Sequence, residues 1–151
     1  MRHRFIDLLE QSPVIPAVKA ESALPCALAC ESRVLFLLGG DLLTIRRWLS
    51  MVHEAGKLAV VHIDLVGGLA PKEVAVDWLQ QQGADGIIST RQSFIRRAKE
   101  LGLAAILRVF LLDSIALESL DKIPPNLPDC LDLLPGTMPK ILRSGCINTP
   151  A

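Results

Sequence analysis

The sequence predicts an α/β fold, an incomplete TIM-type β/α barrel with parallel strands. Three observations carry that expectation. Short apolar runs alternate with amphipathic stretches of helix length, the apolar residues are aliphatic rather than aromatic, and no nucleotide-binding loop follows the first strand. Half of the 151 residues are hydrophobic, yet they include only four Phe, two Trp and no Tyr. A core of Leu, Ile, Val and Ala is the usual filling of parallel strands buried on both faces. Strands that alternate with helices through short connections run parallel, with right-handed crossovers. An open nucleotide-binding sheet would carry a Gly-rich turn after its first strand, where this chain has Val18-Lys19-Ala20-Glu21. The closed barrel is therefore preferred.

The elements follow in order. Phe5, Leu8 and Leu9 share one helical face, so the chain opens with a short helix packed on the body of the domain. Strands are expected over residues 14–19, 34–38, 58–65, 86–89, 104–111 and 131–134, with helices beginning near Ser22, Leu42, Pro71, Gln92, Ser114 and Met138. Pro71 suits the first turn of a helix, where its missing N–H would be unpaired anyway. Gly56, Gly83 and Gly102 each fall just past a helical stretch, where a left-handed cap is favoured. The proline-rich stretch 123–128 reads as a stiff loop into the sixth strand.

Eight β/α units need about 250 residues, and about 200 at the least. Six are visible here, so a single domain over residues 1–151 is expected that lacks the last strands and helices of a full barrel. Residues 146–151 read as the approach to a seventh strand. An open barrel leaves strand edges and apolar faces uncovered, which predicts association, with a homo-oligomer formed through the open edge.

Composition narrows the function. Sixteen basic and sixteen acidic side chains cancel, which removes the overall field that drives non-specific nucleic-acid or membrane binding. Cys26, Cys30, Cys130 and Cys146 form no paired metal or redox motif and read as buried free thiols. Cys26 and Cys30 would share a helix face, but two thiols without two further ligands make a poor zinc site, so neither metal nor cofactor is expected. Charges at Arg2, Arg4, Asp7 and Glu10 interrupt the N-terminus, and no segment reaches the roughly 20 apolar residues of a membrane span. A cytoplasmic protein without a membrane partner is expected.

In parallel β/α architectures ligands bind at the carboxyl ends of the strands, so polar residues there are the ones to question. Lys19 ends the first strand. His62 and Asp64, two apart in the third, would point to one face. Arg108 and Asp132 stand alone in the apolar runs of the fifth and sixth strands. Charges inside such runs are costly unless paired or facing a solvated cavity. Lys19 and Arg108 suit an anionic ligand, while His62, Asp64 and Asp132 suit its hydroxyls or orient the cations. The residues alone leave a second explanation open, a set of structural ion pairs plugging the barrel. Ser89 and Thr90 end the fourth strand and face the site or cap the next helix. Arg46, Arg47, Arg96 and Arg97 read as solvated helix faces, Trp48 and Trp78 as packing residues, and His53 as a partner of its helix dipole.

Across the same stretches the chain resembles a known family. Residues 13–19 (PVIPAVK), 34–38 (VLFLL), 61–65 (VHIDL), 83–90 (GADGIIST), 97–102 (RAKELG) and 134–140 (LPGTMPK) are similar, in order, to the successive motifs of the glycerol uptake operon antiterminator regulatory proteins. The resemblance implies a small β/α barrel that binds glycerol 3-phosphate and then acts on the messenger RNA leader of glycerol-utilisation genes to prevent premature termination. It also implies that Lys19, His62, Asp64 and Arg108 match polar residues of the family's ligand pocket. Asp132 stands where the family usually has Glu. The family continues into a Gly-Gly-Leu-Ile turn and a final strand with a Ser-Thr-Ser-like motif, among the loops where such barrels commonly hold phosphate; this chain stops before them and reads as truncated. The RNA expectation rests wholly on the resemblance, since no aromatic platform or basic run is visible. Two rivals remain at this stage. One is a barrel enzyme acting on a phosphorylated metabolite, with Lys19 or His62 as acid or base and Arg108 as anion clamp. The other is an inactive remnant.

Overall fold

A computed structural model describes residues 2–112, 116, 118 and 120–137. Six parallel strands form one sheet whose spatial order is the chain order: β1 (Ala17–Val18), β2 (Val34–Leu37), β3 (Leu58–His62), β4 (Gly86–Ser89), β5 (Ala104–Phe110) and β6 (Cys130–Leu134). Helices α1 (Arg2–Gln11), α2 (Leu24–Ala29), α3 (Ile45–Glu54), α4 (Val74–Gln82) and α5 (Gln92–Glu100), with two 3₁₀ turns (Glu21–Ala23 and Ile63–Leu65), complete the described elements. Together they make a half-barrel. The helical stretch expected near Met138 lies outside the described residues, and the one near Ser114 is represented by helical Ala116, Glu118 and Leu120. No helix among the described residues is long and apolar enough to cross a membrane.

The period-2 alternation of the strands sorts two cores. Leu35, Leu37, Val61, Ile87 and Leu107 face the covering helices and pack with Trp48, Leu49, Leu79 and Ile95. Val34, Val60, Ile88 and Ile106 face the other way, toward the barrel interior, where Phe5 of α1 is buried among them. Helix α1 thus fills the interior toward the amino-terminal ends of the strands, in keeping with the apolar face expected of it. Gly86 makes the interior tight: a Cβ there would lie 2.7 Å from the Ala104 carbonyl oxygen. Gly56, Gly83 and Gly102 take the positive φ values of 71°, 101° and 75° expected at the helix ends.

Several boundaries differ from the expectation. Only Ala17 and Val18 of the first run pair, because Pro13 and Pro16 have no N–H to give a ladder. β3 stops at His62, and Ile63–Leu65 turn into a 3₁₀ helix. Helix α3 begins three residues late, since the Asp41 carboxylate accepts the Leu43 and Thr44 N–H groups, both at 2.9 Å, and holds a turn. Pro71 precedes α4 rather than opening it, while Pro25 occupies the first turn of α2. Cys26 is exposed, against the buried-thiol expectation.

At the amino ends of the strands, ionisable groups are tied to the backbone. Asp85 Oδ2 accepts from the Ala59 N–H and lies 2.8 Å from His53 Nε2. Asp129 repeats the device two strands on, accepting from the Ala105 N–H at 3.0 Å with Lys99 Nζ at 3.3 Å. His53 therefore has a specific carboxylate partner beyond its helix dipole. The buried Lys57 ammonium donates to the carbonyls of Cys30 and Ser32.

Candidate ligand site

Parallel pairing carries the interior-facing residues of successive strands around the sheet at fixed heights. His62, Ile88, Ile106 and Cys130 lie level. Val18 aligns with Leu37, and Leu37 with Val61, so one further residue brings Lys19 and Leu38 to the same layer. One layer nearer the carboxyl ends, Arg108 stands directly across from Asp132. Arg108 Nε donates to Asp132 Oδ2 at 2.8 Å, Nη2 lies 2.7 Å from the same oxygen in an ion pair, and the two side chains are 12% and 21% exposed.

Asp64 reaches the rim by a different route from the one expected. It sits on the 3₁₀ turn rather than in alternation with His62, and its Oδ2 accepts from the Ser89 hydroxyl at 2.9 Å and the Thr90 N–H at 3.2 Å. Arg91 Nε lies 3.6 Å from its other oxygen. Ser89 is fully buried, and its hydroxyl also accepts from the Arg91 N–H. The hydroxyl is thus engaged at the β4–α5 turn.

His62 is the centre of the group. It is 4% exposed, and its Nδ1 has no hydrogen-bond partner among the described residues. Burial holds its pKa below the ordinary imidazole value, reinforced by the Arg108 cation and opposed by the Asp64 and Asp132 carboxylates. The ring is neutral near pH 7, with one nitrogen to donate and one to accept.

The structure therefore brings Asp64, Arg108 and Asp132 within electrostatic reach of His62, with Ser89 bound to Asp64. Lys19 stands apart just past the end of β1, exposed and without an ion pair among the described residues. A cleft of about 320 Å³ opens at the ends of β4 and β5, and Thr90, Gln92, Arg108 and Phe110 are among its walls. Gln92 and Phe110 were not singled out from the sequence. Their signal was available: Phe110 is two residues beyond Arg108 on the same strand face, and Gln92 opens the helix after the fourth strand.

A parallel half-barrel with ionisable side chains gathered at the carboxyl ends of its strands has the architecture of the β/α-barrel proteins, which carry their sites at that end. Comparison with known proteins narrows the class. The chain belongs to the glycerol-3-phosphate responsive antiterminator family, whose profile matches residues 14–149. The crystal structure of a glycerol uptake operon antiterminator regulatory protein from Listeria monocytogenes superposes with a TM-score of 0.77 at 31% identity, covering 85% of this chain and 71% of that one. A glycerol uptake operon antiterminator-related protein from Thermotoga maritima gives 0.76 at 34% identity, covering 85% and 74%. An uncharacterized Escherichia coli protein, YgcP, is 40% identical over 140 residues, 91% of this chain and 73% of its own length. The family is regulatory.

Proposed function

We propose that this chain is a cytoplasmic regulator that binds glycerol 3-phosphate at the carboxyl ends of its strands. When occupied, it acts on the messenger RNA leader of glycerol-utilisation genes to prevent premature termination. The observation that carries the reading is a single buried imidazole, His62, on which the charges of Arg108, Asp64 and Asp132 all act and whose Nδ1 lacks a partner among the described residues. A buried polar atom left unmatched is costly, and a ligand hydroxyl would satisfy it. In this reading the phosphate is held by Arg108 and Lys19, the hydroxyls by His62 and Asp64, while Ser89 fixes Asp64 and Asp132 holds Arg108 until the ligand takes its place. The role is sensing, without turnover. The RNA step is supported by the family alone.

Calorimetric titration with glycerol 3-phosphate and with glycerol tests the reading. Phosphate-dependent binding is expected, weakened about tenfold or more by Arg108→Ala and by Lys19→Ala, as for loss of a charge-assisted hydrogen bond. Consumption of the ligand would replace the sensor with an enzyme. Absence of heat from glycerol 3-phosphate would end the proposal. Gel-shift assays with leader RNA, with and without the ligand, test the second step.

A further inference from the structure

We infer that Asp132 sets the charge a ligand must carry: it occupies Arg108 in the free site, and only a dianion displaces it. The inference rests on the ligand-binding reading above. Arg108 directs its Nε–H onto one carboxylate oxygen of its direct cross-strand partner, and its Nη2 forms an ion pair with the same oxygen. That is the contact an anionic oxygen of a ligand would make. The pair is largely shielded from water, so it cannot be opened without a replacement charge. Asp64 cannot take over the carboxylate's place beside Arg108, since it already binds Ser89, Thr90 and Arg91.

Three ligand classes then separate by charge. A neutral polyol has nothing to exchange for the carboxylate. A monoanion at best exchanges one single charge for another. A phosphate monoester carries about −1.5 to −2 near neutral pH and three strong acceptor oxygens. It can take the guanidinium from Asp132 with charge and acceptor oxygens left over. Asp132 thereby acts as a specificity-determining residue, a resident competitor in the site.

The test compares glycerol 3-phosphate with its methyl phosphodiester, a monoanion of nearly the same shape, and with glycerate, by calorimetry at constant ionic strength. The wild-type chain is expected to bind the dianion about tenfold or more better than either monoanion. In Asp132→Asn the monoanions should gain about tenfold and the dianion less, narrowing the ratio, while Asp132→Glu keeps the wild-type ratio. Equal wild-type affinity for the ester and diester overturns the inference even if the Asn variant does not fold. So does an Asn variant that binds all three more weakly, which would make Asp132 a ligand contact. Glycerol 3-phosphate giving no heat with any of the proteins sinks the ligand reading itself; a dianion that binds with no preference over the monoanions sinks only this inference.

Discussion

The two ends of the sheet treat charge differently. At the amino ends, carboxylates are locked to the main chain, as Asp85 is to Ala59 and Asp129 to Ala105, and α1 fills the interior with Phe5. At the carboxyl ends, Arg108 is held by another side chain, Asp132, while Lys19 and the His62 Nδ1 have no partner among the described residues. A backbone partner cannot be exchanged, whereas a side-chain partner can. The amino end therefore supports the fold, while the Arg108–Asp132 contact at the other end can exchange partners.

That division can be broken by mutation. The largest effect is expected from Phe5→Ala, which empties the interior near the amino ends and should cost about 3–5 kcal/mol in urea denaturation, the range for a buried Phe. A loss below about 1 kcal/mol would mean that α1 does not close the interior. Next is Asp85→Ala, which leaves the Ala59 N–H without its acceptor and should cost about 1–3 kcal/mol. Neither substitution touches the rim, so glycerol 3-phosphate affinity measured well below the melting temperature should be unchanged. A smaller effect concerns acid. Burial and Arg108 hold the His62 pKa down, so the unfolded chain, titrating near about 6.5, takes up a proton that the folded one resists. The stability contribution is whole above that pH and is lost as pH falls through about 6.5 toward the folded value. His62→Gln should flatten this slope in denaturation midpoints, and an unaltered slope would place the acid-sensitive group elsewhere. Smallest is Lys19→Ala, which should change stability by no more than about 0.5 kcal/mol while weakening glycerol 3-phosphate binding in the proposed reading. A larger loss of stability would show that the rim also supports the fold.

The fold was largely legible because parallel strands buried on both faces leave nearly unbroken apolar runs. The fourth strand was placed at its observed limits, Gly86–Ser89. Errors arose where local chemistry overrode the apolar pattern. Pro16 shortens β1, the Asp41 turn delays α3, and the 3₁₀ turn at Ile63 ends β3 within a run that reads as continuous strand. The site was partly legible. A lone Arg or Asp in an aliphatic run shows that charge lies in the interior, and parallel register then sets Arg108 opposite Asp132. Partners separated by long stretches of chain left no such mark. Nothing in the sequence around Ser89 indicates that its hydroxyl will be bound by Asp64, and nothing around His53 indicates Asp85.

The position of Phe5 also bears on how the molecule is made. Because spatial and chain order coincide, each strand can dock on the one synthesised just before it. Phe5 is the exception. It leaves the ribosome before any of its neighbours, yet its pocket runs from Val34 to Ile106, so the opening helix cannot settle into its full set of contacts until two-thirds of the polypeptide has been translated.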